Sequence, residues 1–377
     1  MIIYHRTMFL QLIICFGFYF ILPTFVTADR GGIPHWLNSG HIPPGHQHNH
    51  NSGPSSNIFN SWSGTPQIEI PKWLPHGSYP KYVAWWEEFH SNLQECGKKQ
   101  TKPRNPLLRV IGGHITTIDS YPWMVSMYSD LIKQPWCGGT LISSEWVVTA
   151  AHCFRPPFNQ PSTWTMHMGK NNASGFAEYI DEQVRGISEL KIHTGFNFSR
   201  NDFRFDNDIA LIKLDQEVIF NSHTSPLCLV KSTDRMEDLL KPETRCSITG
   251  YGISDMGNAR REENALHVAD VPLVDKETCL RVKDYKNQVS DNMICAGLED
   301  GGVDTCLGDS GGPLQCQINN KWYQVGITSW GPVRCAEPRK PGVYTDISKY
   351  TEWIYREIFN DYKGNHVDNN GLIDITK

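Results

Sequence analysis

Three short stretches hold residues whose types suit acyl-transfer chemistry. The first is Asp304–Pro313, DTCLGDSGGP, in which Ser310 lies between Asp309 and Gly311-Gly312, with Gly308 two residues before it. Glycines admit dihedrals closed to other residues and let other atoms approach closely. Such a loop can present a side-chain oxygen and turn its own N–H groups toward one point, which is what a nucleophile beside an oxyanion hole needs. A glycine-rich turn with an incidental serine is the competing reading of this stretch alone. The second stretch, Thr149–Cys153 (TAAHC), puts His152 at the end of an apolar strand, beside a cysteine able to fix it. The third, DNDIALIKL from Asp206, puts Asp208 at the start of another strand. Buried histidines and strand-end aspartates are common, so each residue alone also has an inert reading.

The segments around these residues read as β structure. From Arg109 onward short apolar runs alternate with turns: Trp123–Tyr128, Thr140–Ile142, Trp146–Thr149, Ile209–Leu214, Ile248–Tyr251 and Val325–Trp330. Short β-rich segments with frequent Gly and Pro indicate a sandwich or barrel. Near the end, Tyr350, Trp353, Ile354 and Ile358 recur at helical spacing, and a polar tail follows Asn360. Ahead of Arg109, residues 31–66 are rich in Gly, Pro, Asn, Ser and His, and are expected to be extended or disordered. His46, His48 and His50 alternate there; neutral imidazoles so placed can chelate zinc, copper or nickel, against the blander reading of a low-complexity linker. Residues 68–93 gather Trp73, Tyr79, Tyr82, Trp85, Trp86 and Phe89. A short helix between Pro80 and Cys96 would align Val83, Trp86, Phe89 and Leu93 on one face, for packing on the main domain or for a partner.

The 377 residues suffice for one large all-β domain with an appendage, or for two domains. A net charge of -5 excludes a global polycation for nucleic acid or anionic membrane. His5 and Arg6 precede an apolar run from Met8 to Val26, and Val26 and Ala28 suit a signal-peptidase cut, so residues 1–28 read as a signal peptide. The rival reading is an uncleaved membrane anchor. Cys15 leaves with the signal, and ten cysteines remain, an even number suited to an oxidising compartment. Asn172 and Asn197 begin glycosylation triplets, usable in a secreted chain.

The order His152, Asp208, Ser310 is the one described for chymotrypsin-type enzymes. From Val110 to about Phe359 the chain resembles trypsin-like serine proteases of the chymotrypsin family. The resemblance is carried by VIGG, CGGTLIS, TAAHC, DNDIALIKL, ITGYG, MICAG, GDSGGP, TSWG and KPGVY, all in family order. It implies two six-stranded antiparallel β-barrels with a C-terminal α-helix and the reactive residues in the cleft between them, after a largely irregular N-terminal segment. The domains are then residues 29–109 as pro-region and light chain, 110–360 as protease domain and 361–377 as tail.

By the same resemblance Ser310 is the nucleophile, His152 the base, Asp208 its orienting partner, and the N–H groups of Gly308 and Ser310 the oxyanion hole. Ser329 supports the aspartate. Asp304 takes the base of the primary pocket, which implies Arg or Lys before the cut; Gly331 and Gly342 leave that pocket open, and Thr305 adds a hydroxyl. Phe205 and Trp330 narrow the adjoining subsite, disfavouring bulky residues there. Arg334 stands where a glycine is usual, in a longer segment at the pocket rim, where its charge would repel basic flanking residues. Cutting after Arg109 frees the Val110 ammonium for an ion pair with Asp309. The implied pairings are Cys137–Cys153, Cys246–Cys316, Cys279–Cys295, Cys306–Cys335 and, tying the light chain, Cys96–Cys228. Lys170 opposes calcium where that family has an acidic ligand, and Pro341 matches members without sodium regulation; no cofactor or metal is implied. The expected protein is a secreted zymogen acting on proteins or peptides, with an activating protease and protein inhibitors as partners. The alternative is a catalytically idle homologue, or an N-terminal metal-binding or adhesive module acting through binding.

Overall fold

The computed structural model describes residues 71–74, 78–92, 96–99, 113–173, 181–196, 205–231, 244–252, 265–283, 285–306, 308–332 and 334–366. The apolar N-terminal run, His46, His48, His50, Leu93, Arg109, Val110 and Asn197 lie outside them. The chain is mostly β. Its strands in order are β1 (His114–Ile115), β2 (Met124–Ser129), β3 (Gln134–Leu141), β4 (Trp146–Thr149), β5 (Trp164–Met168), β6 (Gln183–Arg185), β7 (Ile187–Ile192) and β8 (Ala210–Leu214). There follow β9 (Cys228–Leu229), β10 (Cys246–Gly250), β11 (His267–Asp270), β12 (Leu273–Val274), β13 (Met293–Ala296), β14 (Pro313–Ile318), β15 (Lys321–Trp330) and β16 (Gly342–Asp346).

They form two curled sheets. One has seven strands in the order β6-β5-β2-β3-β4-β8-β7; the other has nine, β1-β11-β10-β14-β15-β16-β13-β12 with β9 beside β15. The counts exceed six because strands break or are extended at their edges. In the first sheet only Gly186 separates β6 from β7, so one strand turns a corner and is divided. In the second, β1, β9 and β12 are two-residue additions, β9 pairing parallel to β15.

The register decides where chemistry can happen. WVVT of β4 is buried throughout and pairs antiparallel with ALIKL of β8, Thr149 opposite Ala210. The chain leaving β4 and the chain entering β8 therefore emerge at the same edge, three residues before His152 is complete and two after Asp208. In the other sheet β14 and β15 form a hairpin with Pro313 opposite Ile327, so the loop before Pro313 lies beside the end of β15. The loop is stitched across to the first sheet, Gly138 N–H donating to the Ser310 carbonyl at 2.8 Å.

Five disulfides join Cys96–Cys228, Cys137–Cys153, Cys246–Cys316, Cys279–Cys295 and Cys306–Cys335, the pairings expected. Cys246 and Cys316 stand directly opposite on β10 and β14.

Among the described residues three α-helices complete the fold. Helix α1 (Tyr79–Asn92) buries Tyr82, Trp85 and Phe89; of the expected face Phe89 is buried as anticipated, whereas Val83 and Trp86 are only half-buried and the residues before them meet the body instead. It lies on α3 (Thr351–His366): Tyr82 meets Phe359 edge-on at 5.3 Å, Trp85 lies 5.4 Å from Phe359, and Phe89 meets Tyr355 at 5.9 Å. Aromatic pairs at such distances add to their area burial. Packing on the main body is thus the role the helix takes. Helix α3 continues past Asn360, where a polar tail was expected, because Asp361 pairs with Lys213 at 2.6 Å and Tyr362 packs on the core. Helix α2 (Lys276–Arg281) was not anticipated; the Asp275 carboxylate caps it, accepting from Thr278 N–H at 2.8 Å. Among the described residues no helix is long and apolar enough to cross a membrane.

The segment that follows Cys96 carries one further contact. The Lys99 ammonium sits 3.6 Å from the Tyr121 ring centroid and 4.1 Å from that of Trp322, and burial lowers its pKa to about 7.

Candidate active site

His152 lies on a short 3₁₀ turn, Ala151–Phe154, that follows β4. Asp208 is fully buried and holds it twice: Oδ2 lies 2.7 Å from His152 Nδ1, and Oδ1 accepts from the His152 backbone N–H at 2.8 Å. Ser329 Oγ donates to Oδ2 at 2.5 Å, and Thr345 Oγ1 donates to the Asp208 carbonyl at 2.9 Å. A carboxylate taken fully out of water needs such donors. Together they fix both the aspartate and the imidazole tautomer that presents Nε2 outward. Phe205 stands edge-on to the His152 ring at 5.8 Å.

Ser310 rides on a four-residue turn closed by Gly312 N–H donating to the Asp309 carbonyl at 2.9 Å. The third residue, Gly311, has φ +82°, the value a type II turn demands there and one that L side chains rarely adopt. A side chain at Gly311 would also collide with Thr149 Oγ1 at 2.2 Å, which is the end of β4. This close approach sets the serine loop against the histidine loop, and Cys153 Sγ lies 3.9 Å from the Ser310 carbonyl. Gly308, at φ +98°, lies in the turn just before that of Ser310, closed by Asp309 N–H donating to the Cys306 carbonyl at 3.0 Å.

Asp304 is held by N–H donors from Thr305 at 2.8 Å and Ala336 at 3.3 Å, and burial raises its pKa to about 6. Gly342 must be glycine: an added Cβ would lie 2.7 Å from Asp304 Oδ1. A Cβ at Gly331 would reach Asp304 Oδ2 at 3.7 Å. The two glycines thus flank the approach to one carboxylate. Tyr344, whose hydroxyl a Gly342 side chain would meet at 3.0 Å, and Tyr285, edge-on to Trp330 at 5.0 Å, also belong to this wall. Neither was singled out in the sequence, although Tyr344 ends the KPGVY motif. Arg334 is exposed; its N–H donates to Glu337, whose other oxygen pairs with Lys340 at 3.0 Å, so the rim carries a carboxylate as well as cations.

Asp309 points the other way. Its buried carboxylate accepts from Gly252 N–H at 2.8 Å and Cys306 N–H at 2.9 Å, and burial raises its pKa to about 6. Oδ1 packs so closely on Gly250 that a Cβ there would lie 1.9 Å away, which explains both glycines of ITGYG. Arg155 was also missed: its Nε donates to the His152 carbonyl at 3.0 Å, with the guanidinium 5.8 Å from the Phe205 ring.

Elsewhere, the Lys170 ammonium lies 3.1 Å from Glu182, which also bonds His167 at 3.0 Å, all three largely buried. Asn172 is half-buried, bridging to Ala265. Cys137, His152 and Cys153 cluster as metal ligands can, but both sulfurs are committed to a disulfide.

A histidine loop with a fixed tautomer set against a serine loop of glycine-rich turns is an arrangement suited to acyl transfer. The family model for Trypsin matches residues 110–354, well over half of the chain. The chain therefore belongs to the trypsin family and is a trypsin-like serine protease of the chymotrypsin type, acting on protein substrates.

Proposed function

We propose that the protein is a secreted endopeptidase that cuts after arginine or lysine and is made as a zymogen activated between Arg109 and Val110. Ser310 Oγ attacks the scissile carbonyl carbon while His152 Nε2 takes its proton. Asp208 stabilises the imidazolium so formed. The oxyanion is held by the N–H groups of Gly308 and Ser310, each donor worth about 2.7–4 kcal/mol in the transition state. Collapse of the tetrahedral intermediate expels the amine, which takes the proton from His152. Water, activated by His152, then hydrolyses the acyl-serine.

The observation that carries the specificity is Asp304. Its carboxylate is buried between Gly331 and Gly342, held by the Ala336 and Thr305 N–H groups and the Thr305 hydroxyl with no cation among its described partners, an arrangement a substrate ammonium or guanidinium would complete. A peptide-library profile of the activated protein tests it: cleavage is expected after Arg and Lys, and a preference for Phe or Leu would refute it. The ten paired cysteines and the typical secretion of the family support an extracellular location. An activating protease and protein inhibitors are the expected partners.

Latency follows from Asp309. A buried carboxylate is stabilised by an added cation, and the Val110 ammonium released by cleavage would supply it. Arg109→Gln is expected to leave the chain uncut and at least about 10³-fold less active, since pocket and oxyanion hole share this loop. Full activity in that variant would overturn the zymogen reading.

Protonation gives a second handle. Asp304 and Asp309 have pKa values of about 6 in the folded chain against 3.8 ordinarily. A raised acid makes the folded state bind more protons than the unfolded one, so stability falls as pH rises from about 4 to 6 and stays low above. The uncut chain is expected to melt about 5 °C lower at pH 7 than at pH 5. Cleavage at Arg109 should recover part of that loss, which differential scanning calorimetry of both forms would show.

A further inference from the structure

We infer that Asn207 and Tyr350 form a lock that positions Asp208, making Tyr350 a positioning residue for hydrolysis. The inference rests on the reading of Asp208 as the partner of His152.

Asn207 is left-handed, at φ 56°, a region in which asparagine is tolerated better than most residues but which still needs support. The support comes from its side chain, held at both ends. Nδ2 donates to the Gly195 carbonyl at 3.0 Å, and Oδ1 accepts from Tyr350 Oη at 3.0 Å. The circuit then closes. Gly195 N–H donates to His193 Nδ1 at 3.1 Å, and the His193 ring stands edge-on to Tyr350 at 5.3 Å and to Trp353 at 5.2 Å. Burial lowers the His193 pKa, which favours the neutral ring that accepts from Gly195.

The geometry of the neighbours shows what the lock controls. Ile209 N–H donates to the Asn207 carbonyl at 2.8 Å, wrapping a tight turn around Asp208. On the other side Asp206 accepts from Ser290 Oγ at 2.7 Å and Asn292 Nδ2 at 3.2 Å. Three consecutive side chains thus engage three separate partners, Asp206 the Ser290–Asn292 segment, Asn207 the Tyr350 segment and Asp208 the histidine. A left-handed residue in the middle makes that divergence possible. Without Tyr350 Oη, Asn207 loses one of its two anchors, and relaxation toward ordinary dihedrals would swing the Asp208 carboxylate off His152 Nδ1. Among the described hydrogen bonds none joins Asn207 or Tyr350 to His152 or Ser310, so the effect passes through Asp208.

The test uses the full-length chain cut at Arg109, with Tyr350→Phe, Asn207→Gly and the double variant, alongside Asp208→Asn. Steady-state kinetics on an arginyl peptide are expected to show kcat down about 10-fold for each single variant, with KM within about 2-fold. Glycine tolerates the left-handed backbone without holding it, so Asn207→Gly removes both anchors without adding strain and carries the test should Tyr350→Phe fold poorly. Acting as a unit, the pair should give a double variant no slower than Asn207→Gly alone. The acid limb of kcat/KM should move to lower pH in both, because a displaced Asp208 supports the imidazolium less. A lowered melting temperature with unchanged kcat and acid limb would overturn the lock and leave a purely structural bond. Wild-type rates in Asp208→Asn would instead overturn the reading of Asp208 itself.

Discussion

Ser310→Ala is expected to lower kcat by about 10⁶-fold while KM for an arginyl peptide stays near that of the unaltered enzyme. The substitution removes the only atom asked to form a covalent bond, and the remaining parts act as a unit with it. Its specificity as a test comes from the way the loop is held. Gly312 to Asp309, Gly138 to Ser310 and Gly311 to Thr328 are all main-chain hydrogen bonds, untouched by the change. Melting temperature and substrate binding should therefore stay close to the unaltered values. Labelling by a fluorophosphonate should vanish with activity. Turnover within about 100-fold of the unaltered enzyme would exclude Ser310 as nucleophile, since oxyanion donors and binding account for the residue of catalysis.

Asp304→Ser should cost about 10³–10⁴-fold in kcat/KM for arginyl and lysyl substrates. The penalty has two parts, a lost charge-assisted bond and a substrate cation left buried without a partner. Cleavage after uncharged residues should change little, so the ratio between substrates collapses. In the unaltered enzyme the same carboxylate, near pKa 6, should weaken an amidinium inhibitor as pH falls below that value, and the serine variant should lose this dependence. Retention of arginine preference in Asp304→Ser would move the source of specificity elsewhere, to Glu337 at the rim in the first instance.

Much of this site could be read from short motifs because its chemistry is local. GDSGGP contains its own turn, with Gly311 where positive φ is required, and TAAHC and DNDIALIKL sit at paired strand ends. The disulfide pattern came through resemblance, since ten cysteines alone allow many pairings. What escaped was long-range or phase-dependent. The face of α1 was misjudged because aromatic residues crowd several of its sides, so periodicity cannot say which row meets the body; only Phe359 and Tyr355 decide it. The end of α3 was set too early because Asp361 looks like a tail residue until Lys213 is beside it. The α2 cap at Asp275 was legible and unread. Tyr350 and Asn207, 143 residues apart, have no signature that links them before the chain folds.

The α1–α3 contact also sets a timetable. The first described helix docks against the last, about 270 residues later in the chain. At about 5–20 residues per second of synthesis, its aromatic face would wait roughly tens of seconds for Tyr355 and Phe359 to be made. Until Tyr355 and Phe359 are made, Tyr82, Trp85 and Phe89 lack the partners they pack on in the folded chain.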